Sequence, residues 1–507
     1  MDLDFVLLLL TSALFITLLF QKFRAKYKTK SSSEISLQLP PGPKKLPFIG
    51  NLHLLGSLPH RAFRDLANKY GPIMHLQLGE VSMIVVSSPE TAKEVMQTQD
   101  LNFASRPSII ASDIIAYNSS NISFSPHGDY WRQLRKIYTL ELSGLTRVHS
   151  FRSLREEEAS NLIRRIAGNA GSTIDLTQEI HTSIYTISSR ASFGNKSKYL
   201  KEFIYTIQEF IKSASGFNIA DVYPSIKFLH VIGGMNSKLM NCHKITDKLL
   251  DAIINERRTG KLLDQTNKDF VDVLLQYFRE DKNLEFSMTM DNIKAVLLDI
   301  FLAGSGSSAK TINWTMSEMM KNPKIMEKAQ EEITRVFGER SHVDEACFDK
   351  LKYLKSVIKE TLRLHPPGPL LLPRVSNENC IINGYKIPAK IKVIVNAWAI
   401  NRHPSYWKDA ETFNPDRFLE NPLNYKGTHF EYIPFGAGRR MCPGIQFGTV
   451  NVELTLAKLL YHFDWKLPNG MKPEDLNMTE DASLVLTRKH DLHLIPIIKY
   501  PLLGLND

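Results

Sequence analysis

Pro434-Phe435-Gly436-Ala437-Gly438-Arg439-Arg440-Met441-Cys442-Pro443-Gly444 is the stretch whose reading decides the fold. Gly436, Gly438 and Gly444 allow backbone angles and close approaches that a side chain would block. Pro434 and Pro443 fix φ on either side. The apolar run Ile445 to Leu460 follows with helical periodicity. Cys442 is therefore expected just before a helix N-terminus, where free N–H groups and the helix dipole favour a thiolate. A thiolate is a soft metal ligand. The neighbouring Arg439 and Arg440 suit bidentate binding of carboxylates. A haem has both needs: an axial ligand for iron and partners for two propionates.

Phe435, Gly438, Arg440, Cys442 and Gly444 match the haem-loop signature of cytochromes P-450, which this stretch resembles. Five such letters would coincide in a chain of this length on the order of once in ten thousand sequences. The resemblance implies haem b with Cys442 as axial thiolate. Phe435, Gly438, Arg440 and Gly444 would then shape the cofactor loop.

The rest of the chain agrees with an intracellular enzyme. Its 507 residues are 43% hydrophobic and 23% charged, which is ordinary globular composition. Cys242, Cys347, Cys380 and Cys442 are scattered, so no zinc or CxxC spacing exists and a reducing compartment is indicated. The net charge of +10 suits an anionic membrane surface or an acidic partner. No basic stripe or nucleic-acid motif is present, so nucleic acid is excluded as a partner.

Phe5 to Phe20 carries no charge and, with Leu3 and Gln21, is just long enough to span a bilayer. Asp2 and Asp4 precede it; Lys22, Arg24, Lys26, Lys28 and Lys30 follow, which puts the remainder on the cytosolic side. The sequons at Asn118 and Asn195 are accordingly expected to stay unmodified. The expected division is a transmembrane anchor over 1–21, a basic linker and Pro-rich hinge over 22–51, and one catalytic domain over 52–507. Pro40, Pro41, Pro43 and Pro47 make the hinge extended. The expected location is the endoplasmic reticulum membrane, single-pass.

Periodicity predicts a helix around His60 to Tyr70 and strands at Ile73–Leu78 and Ser82–Ser87 about Gly79-Glu80. Helices are also predicted over Gly128–Leu142, Met288–Lys321, Lys324–Phe337 and Leu351–Leu364, with a strand over Lys392–Ala397. Thr146 to Phe286 reads as successive amphipathic helices. The fold class that the resemblance implies is mainly α with a small β region, one cytochrome P-450 domain.

Other motifs recur in family order. Trp131 and Arg135 share a helix face and resemble the pair that touches a haem propionate. Arg374 is implied as a further propionate contact. Glu360 and Arg363, in KETLRLHPP, share a face, and with Arg417 they resemble the family's buried charged triad. Ile114, Ile115, Leu302, Ala303, Leu370, Leu371 and Leu484 would line the substrate pocket. Within Met288–Lys321, Gly304 and Gly306 each cost roughly 1 kcal/mol against Ala, which suggests close ligand approach or a break in the helix ladder. The family places an acid and a threonine where this chain has Gly306 and Ser307. Proton delivery is thus expected to use water with Ser305, Ser307 or Ser308.

The phrases KYGPIMHLQLGEV, FASRP, GDYWRQLRKI and LLYHFDWKLP resemble plant microsomal type-A members that oxidise terpenoids and some indole alkaloids. The resemblance implies a monooxygenase that takes electrons from NADPH through NADPH-cytochrome P-450 reductase. Its substrate would be an apolar plant metabolite, a sesqui- or diterpene first and an indole alkaloid second. A haem-thiolate isomerase or dehydratase, suggested by the missing acid, and a haem sensor or carrier are the other classes.

Overall fold

The structure is a computed structural model in which residues 38–194, 200–213, 219–226, 234–259, 268–280, 287–338, 343–482 and 485–501 are described. The expected anchor, most of the linker and Leu484 lie outside these residues. Among the described residues no helix is long and apolar enough to cross a membrane.

The organising element is a helix of 32 residues at Met290–Lys321. Before it in the chain come α1 Pro59–Tyr70, α2 Ile110–Ile115 and α3 Asp129–Ile137, and the helices that pack against it include α4 Leu176–Phe193, α6 Pro323–Phe337, α7 Lys352–Leu364 and α8 Ile445–His462. The long helix is α5. Thr289 caps it through its side chain and Asn292 answers onto the Thr289 N–H, a capping box that fixes where the helix starts. Asn322 before Pro323 ends it, because the residue before proline avoids helical angles. Being apolar nearly all round, α5 is buried on most sides. It packs against α4 through Tyr185 and Phe193 on Phe301, and through Asn313 on Thr177. On another side it meets the first turns of α8, where a Cβ added to Gly448 would lie 3.5 Å from Ser308 Oγ.

The predicted helices are present with ends shifted by a residue or two, with one refinement. The segment expected as a single helix over 128–142 is α3 followed by a π-helical turn at Tyr138–Leu142. Gly304 and Gly306 do not break α5, which is continuous across them.

The largest sheet among the described residues has four strands: β1 Ile73–Leu78, β2 Val81–Val86, β3 Arg374–Val375 and β4 Lys392–Val395. β1 and β2 pair antiparallel around Gly79, whose φ of 56° favours glycine. β2 runs parallel to β4, and β3 antiparallel to β4. Both faces are covered, so the strands read as apolar runs without clean alternation. Ile84, Val86 and Val393 face one cluster that includes Met96, Phe103 and Ala437. Met83, Val85 and Ile394 face another that includes Phe63 and Val222. The first cluster puts the sheet directly under the Pro434–Gly444 loop.

Glu360 and Arg363, one helical turn apart on α7, are fully buried and pair at 2.7 and 2.8 Å. Arg417 Nε donates to the same carboxylate at 3.0 Å, and so does the Asn414 N–H at 2.8 Å. Arg363 also donates to the Asn401, Ala410 and Thr412 carbonyls. The three charges anticipated as a triad are thus in contact. They pin α7 to the 401–417 segment that leads to the Cys442 loop. Glu360→Gln removes the carboxylate that Arg363 and Arg417 share and leaves Arg363 buried without a counter-charge among the described residues, which should destabilise the protein by about 3–5 kcal/mol. Urea unfolding of the haem-loaded protein reads this as a lower midpoint; an unchanged midpoint would show that the triad contributes nothing to stability.

Candidate functional site

The Pro434–Gly444 loop is closed by its own backbone. The Cys442 N–H donates to Phe435 O at 3.0 Å, and the Met441 N–H donates to Gly438 O at 3.0 Å. Gly436 and Gly438 both have φ of 70°, where side chains are strained. At Gly438 space decides as well: a Cβ there would sit 1.9 Å from Met96 O. Gly444 differs from the sequence expectation. It caps α8 with φ of −91° and a Cβ would meet only Tyr138 Oη, at 3.5 Å, so its backbone has no need of glycine.

Asp100 locks the loop from outside. One carboxylate oxygen accepts from the Arg439 N–H at 2.9 Å, and the other from Arg374 at 3.2 Å. Arg374 in turn donates to Ala437 O at 3.1 Å. Asp100 was not singled out in the sequence, because an acid in a short helix carries no local signal.

Burial is the dominant influence on the Cys442 thiol and pushes its pKa up. The Gly444 N–H and the Arg135 guanidinium work against this, and Asp299 works with it. The helix-end effect expected from the sequence is therefore outweighed by desolvation. A cation at the sulfur supplies the missing stabilisation of the thiolate, as metals do for coordinating thiols.

Four arginines converge beside the loop. Arg440 donates to the Ala104, Ile122 and Ser125 carbonyls and lies 4.2 Å over the Trp131 ring. Arg135 donates to Met441 O at 2.7 Å. Arg374 is buried on Asp100, and Arg106 donates to Ser123, Leu372 and Pro373 carbonyls. Arg106 is held well below the ordinary arginine range by burial, then by the charges of Arg374 and Arg440. Arg440 is pushed down to about 9 by burial, with Arg374 and Arg135 adding to it. This is a buried surplus of positive charge, and burying charge without a partner is costly. Two carboxylates would relieve it, so the donor set fits a haem with its two propionates. Trp131 contributes its ring; its indole N–H is taken up by Ile122 O at 3.0 Å. Arg106 stands in the FASRP phrase, which was the available signal for it.

The middle of α5 provides the opposite wall. Ala303 is exposed and Gly304 and Ser307 are partly exposed, although the helix is otherwise buried, so this face opens on an internal space. The Ser305, Ser307 and Ser308 hydroxyls donate to the carbonyls one turn back, Phe301, Ala303 and Gly304, at 2.5, 2.6 and 3.0 Å. Ser307 therefore turns acceptor lone pairs, rather than its proton, toward the open face. Ser308 is buried against Gly448, and Gly306 is buried facing α4, about 100° around the helix from Ser307. Of the three residues anticipated for proton handling, only Ser307 shares the face of Ala303.

Leu302, Ile114, Leu370 and Leu371 keep accessible surface, and Leu371 lies 3.7 Å from the Cβ position of Gly436. Ile115 does not join them: it is buried in the main core. Asp299, one turn before Ala303, accepts from Asn121 at 3.1 Å and the Ser123 N–H at 2.8 Å, and tethers the 116–128 segment to α5. Burial raises it to about 6. A lone acid in the apolar run VLLDIF was its signal. A separate surface cleft lined by Met319, Met326, Trp465 and Met471 lies about 18 Å along α5 from Ser307 and is not part of this site.

The family profile described as Cytochrome P-450 matches residues 40–495. The chain is 52% identical over 482 residues to salviol synthase of Salvia pomifera, with 95% of this chain and 96% of that one covered. It is 49% identical over 474 residues to premnaspirodiene oxygenase of Hyoscyamus muticus, covering 92% and 94%. It is 49% identical over 475 residues to 5-epiaristolochene 1,3-dihydroxylase of Nicotiana tabacum, again covering 92% and 94%. A zebrafish cytochrome P-450 solved with progesterone superposes with a TM-score of 0.75 at 23% identity, covering 87% of this chain and 99% of that one.

The two glycines of the signature should behave differently. Gly438→Ala is expected to lose haem, read as visible absorbance per protein after purification, whereas Gly444→Ala keeps it. Equal retention in both variants would contradict the geometry.

Proposed function

The chain belongs to the cytochrome P-450 family, and from that premise we propose that it is a terpene monooxygenase of the endoplasmic reticulum membrane, with Cys442 as the haem ligand. Members of this family carry haem on a cysteine thiolate and receive NADPH electrons through a reductase. The observation that carries the assignment of Cys442 is its placement: of the four cysteines, it is the one within the glycine-constrained loop beside the arginine surplus. Two of the named relatives act on hydrocarbons, premnaspirodiene and 5-epiaristolochene, which supports an apolar terpene as substrate.

When bound, the haem supplies dioxygen activation, which no amino-acid side chain can perform. The chain's own residues do the rest. Cys442 would hold the iron through its sulfur. Arg135, Arg374, Arg440 and Arg106 would neutralise the propionates. Ala303, Leu302, Leu370, Leu371 and Ile114 offer apolar surface, so they would exclude water and orient a hydrocarbon by shape rather than by hydrogen bonds. Ser307 donates to Ala303 O and leaves its acceptor lone pairs free to take a hydrogen bond at the open face.

The uncharged run at Phe5–Phe20, with acids before it and bases after it, supports the membrane anchor and a cytosolic catalytic domain. The net charge of +10 favours docking of an acidic reductase.

A microsomal assay with a plant reductase and a panel of sesquiterpenes, diterpenes and indole alkaloids tests the reading. Product from a terpene hydrocarbon, formed only with NADPH, is expected. Product from the alkaloids alone would overturn the substrate class. Product without NADPH would make Gly306 the mark of an isomerase or dehydratase.

A further inference from the structure

Lys310 stands in the buried middle of α5, one turn after Gly306. Long side chains on a helix lean back over the preceding turn. The Lys310 Nζ accordingly lies 3.9 Å from where a Cβ of Gly306 would be, and Tyr185 Oη lies 3.6 Å from the same point. Two polar groups thus face a niche that glycine leaves open. The niche is on the α4 side of α5, next to the face that carries Ser307.

We propose that Lys310 supplies protons to the reaction face of α5, through the niche at Gly306 and the hydroxyl of Ser307. The step balances simply. An Nζ–H bond breaks, the proton passes to water in the niche and on toward Ser307, and the nitrogen keeps the lone pair. A proton from solvent then restores the ammonium, and Lys310 as a residue is partly exposed. Lys310 is a positioning residue for the proton, since it acts through Ser307 rather than on the substrate.

The surroundings suit the task. Burial alone lowers Lys310, to about 8, and no charged group offsets it. His181 on α4 faces it and is itself pushed down to about 4, by burial and then by Lys310, so it is neutral at pH 7. Tyr185 is raised by burial and stays protonated. Asp175, at the start of α4, acts on His181. An ammonium that releases its proton near neutral pH is matched to proton delivery, whereas an ordinary lysine holds it too tightly.

The sign of the linkage gives a test that separates proton supply from a purely structural role. The folded pKa lies below the unfolded one, so below about pH 8 the charged lysine opposes folding. Lys310→Met removes that penalty and should melt at a higher temperature than the parent at pH 7, with haem retained. The same variant should lose proton supply. With reductase and NADPH but no added terpene, the share of electrons released as hydrogen peroxide should rise severalfold and become flat with pH. In the parent this share should climb as pH rises through about 8. Carbon-13 NMR of the reductively methylated holoenzyme should show one lysine resonance titrating near pH 8 that is absent from Lys310→Met. In Gly306→Asp, where the new carboxylate reaches Nζ, that resonance should titrate higher. A Lys310→Met protein that melts lower while keeping the parental peroxide share and its pH dependence would overturn the proposal. So would a Lys310 resonance titrating at the ordinary lysine value of about 10.4. Neither result depends on which terpene is the substrate.

Discussion

The structure depends on holding a surplus of positive charge largely away from water. Arg106, Arg135, Arg374 and Arg440 crowd beside the Cys442 loop; among the described residues Arg374 forms an ion pair with Asp100, and the charge of Asp299 acts on Arg106 and Arg440 from further off. Asp100 also takes the Arg439 N–H, so one carboxylate sets the loop's position and moderates its charge. The absence of a side chain at Gly438 lets the loop come close enough for this, against Met96 O. The remaining surplus is what two propionates can neutralise. Stability and cofactor binding are therefore coupled: the protein is best satisfied electrostatically when the cofactor's carboxylates are in place.

The same logic explains the long helix α5. Its centre carries hydroxyls instead of an acid, and each hydroxyl donates back to the helix. This keeps α5 intact across Gly304 and Gly306, where the sequence suggested close ligand approach or a break. It also leaves proton acceptors, rather than donors, on the open face. Lys310, one turn on from Gly306, is a nearby ammonium that burial brings down to about 8.

What the sequence revealed and what it hid follow from the range of the interactions. The Cys442 loop, the strands about Gly79 and the Glu360–Arg363 pair are local patterns, with residues fixed by turn geometry or by helical spacing. They were legible. Arg417 was legible only through a motif, since it meets Glu360 across 57 residues. Asp100 and Arg106 act across hundreds of residues through a loop and a short helix, and no periodicity marks them. Gly444 looked as constrained as Gly438 in the sequence; only the neighbouring atoms separate them. Ile114 and Ile115 looked alike as well, and one residue's step around α2, about 100°, sends one to the core and leaves the other accessible. Lys310 and Asp299 did leave a trace, as charges inside an apolar helix.

The central claim is that the constrained loop presents Cys442, and no other group, to the haem iron. X-ray absorption at the iron edge of the purified holoenzyme addresses it directly, with Cys442→Ser alongside. The account predicts one sulfur in the iron's first shell in the parent and none in the variant, with Cys242, Cys347 and Cys380 intact in both. A sulfur that persisted at iron in Cys442→Ser would contradict it.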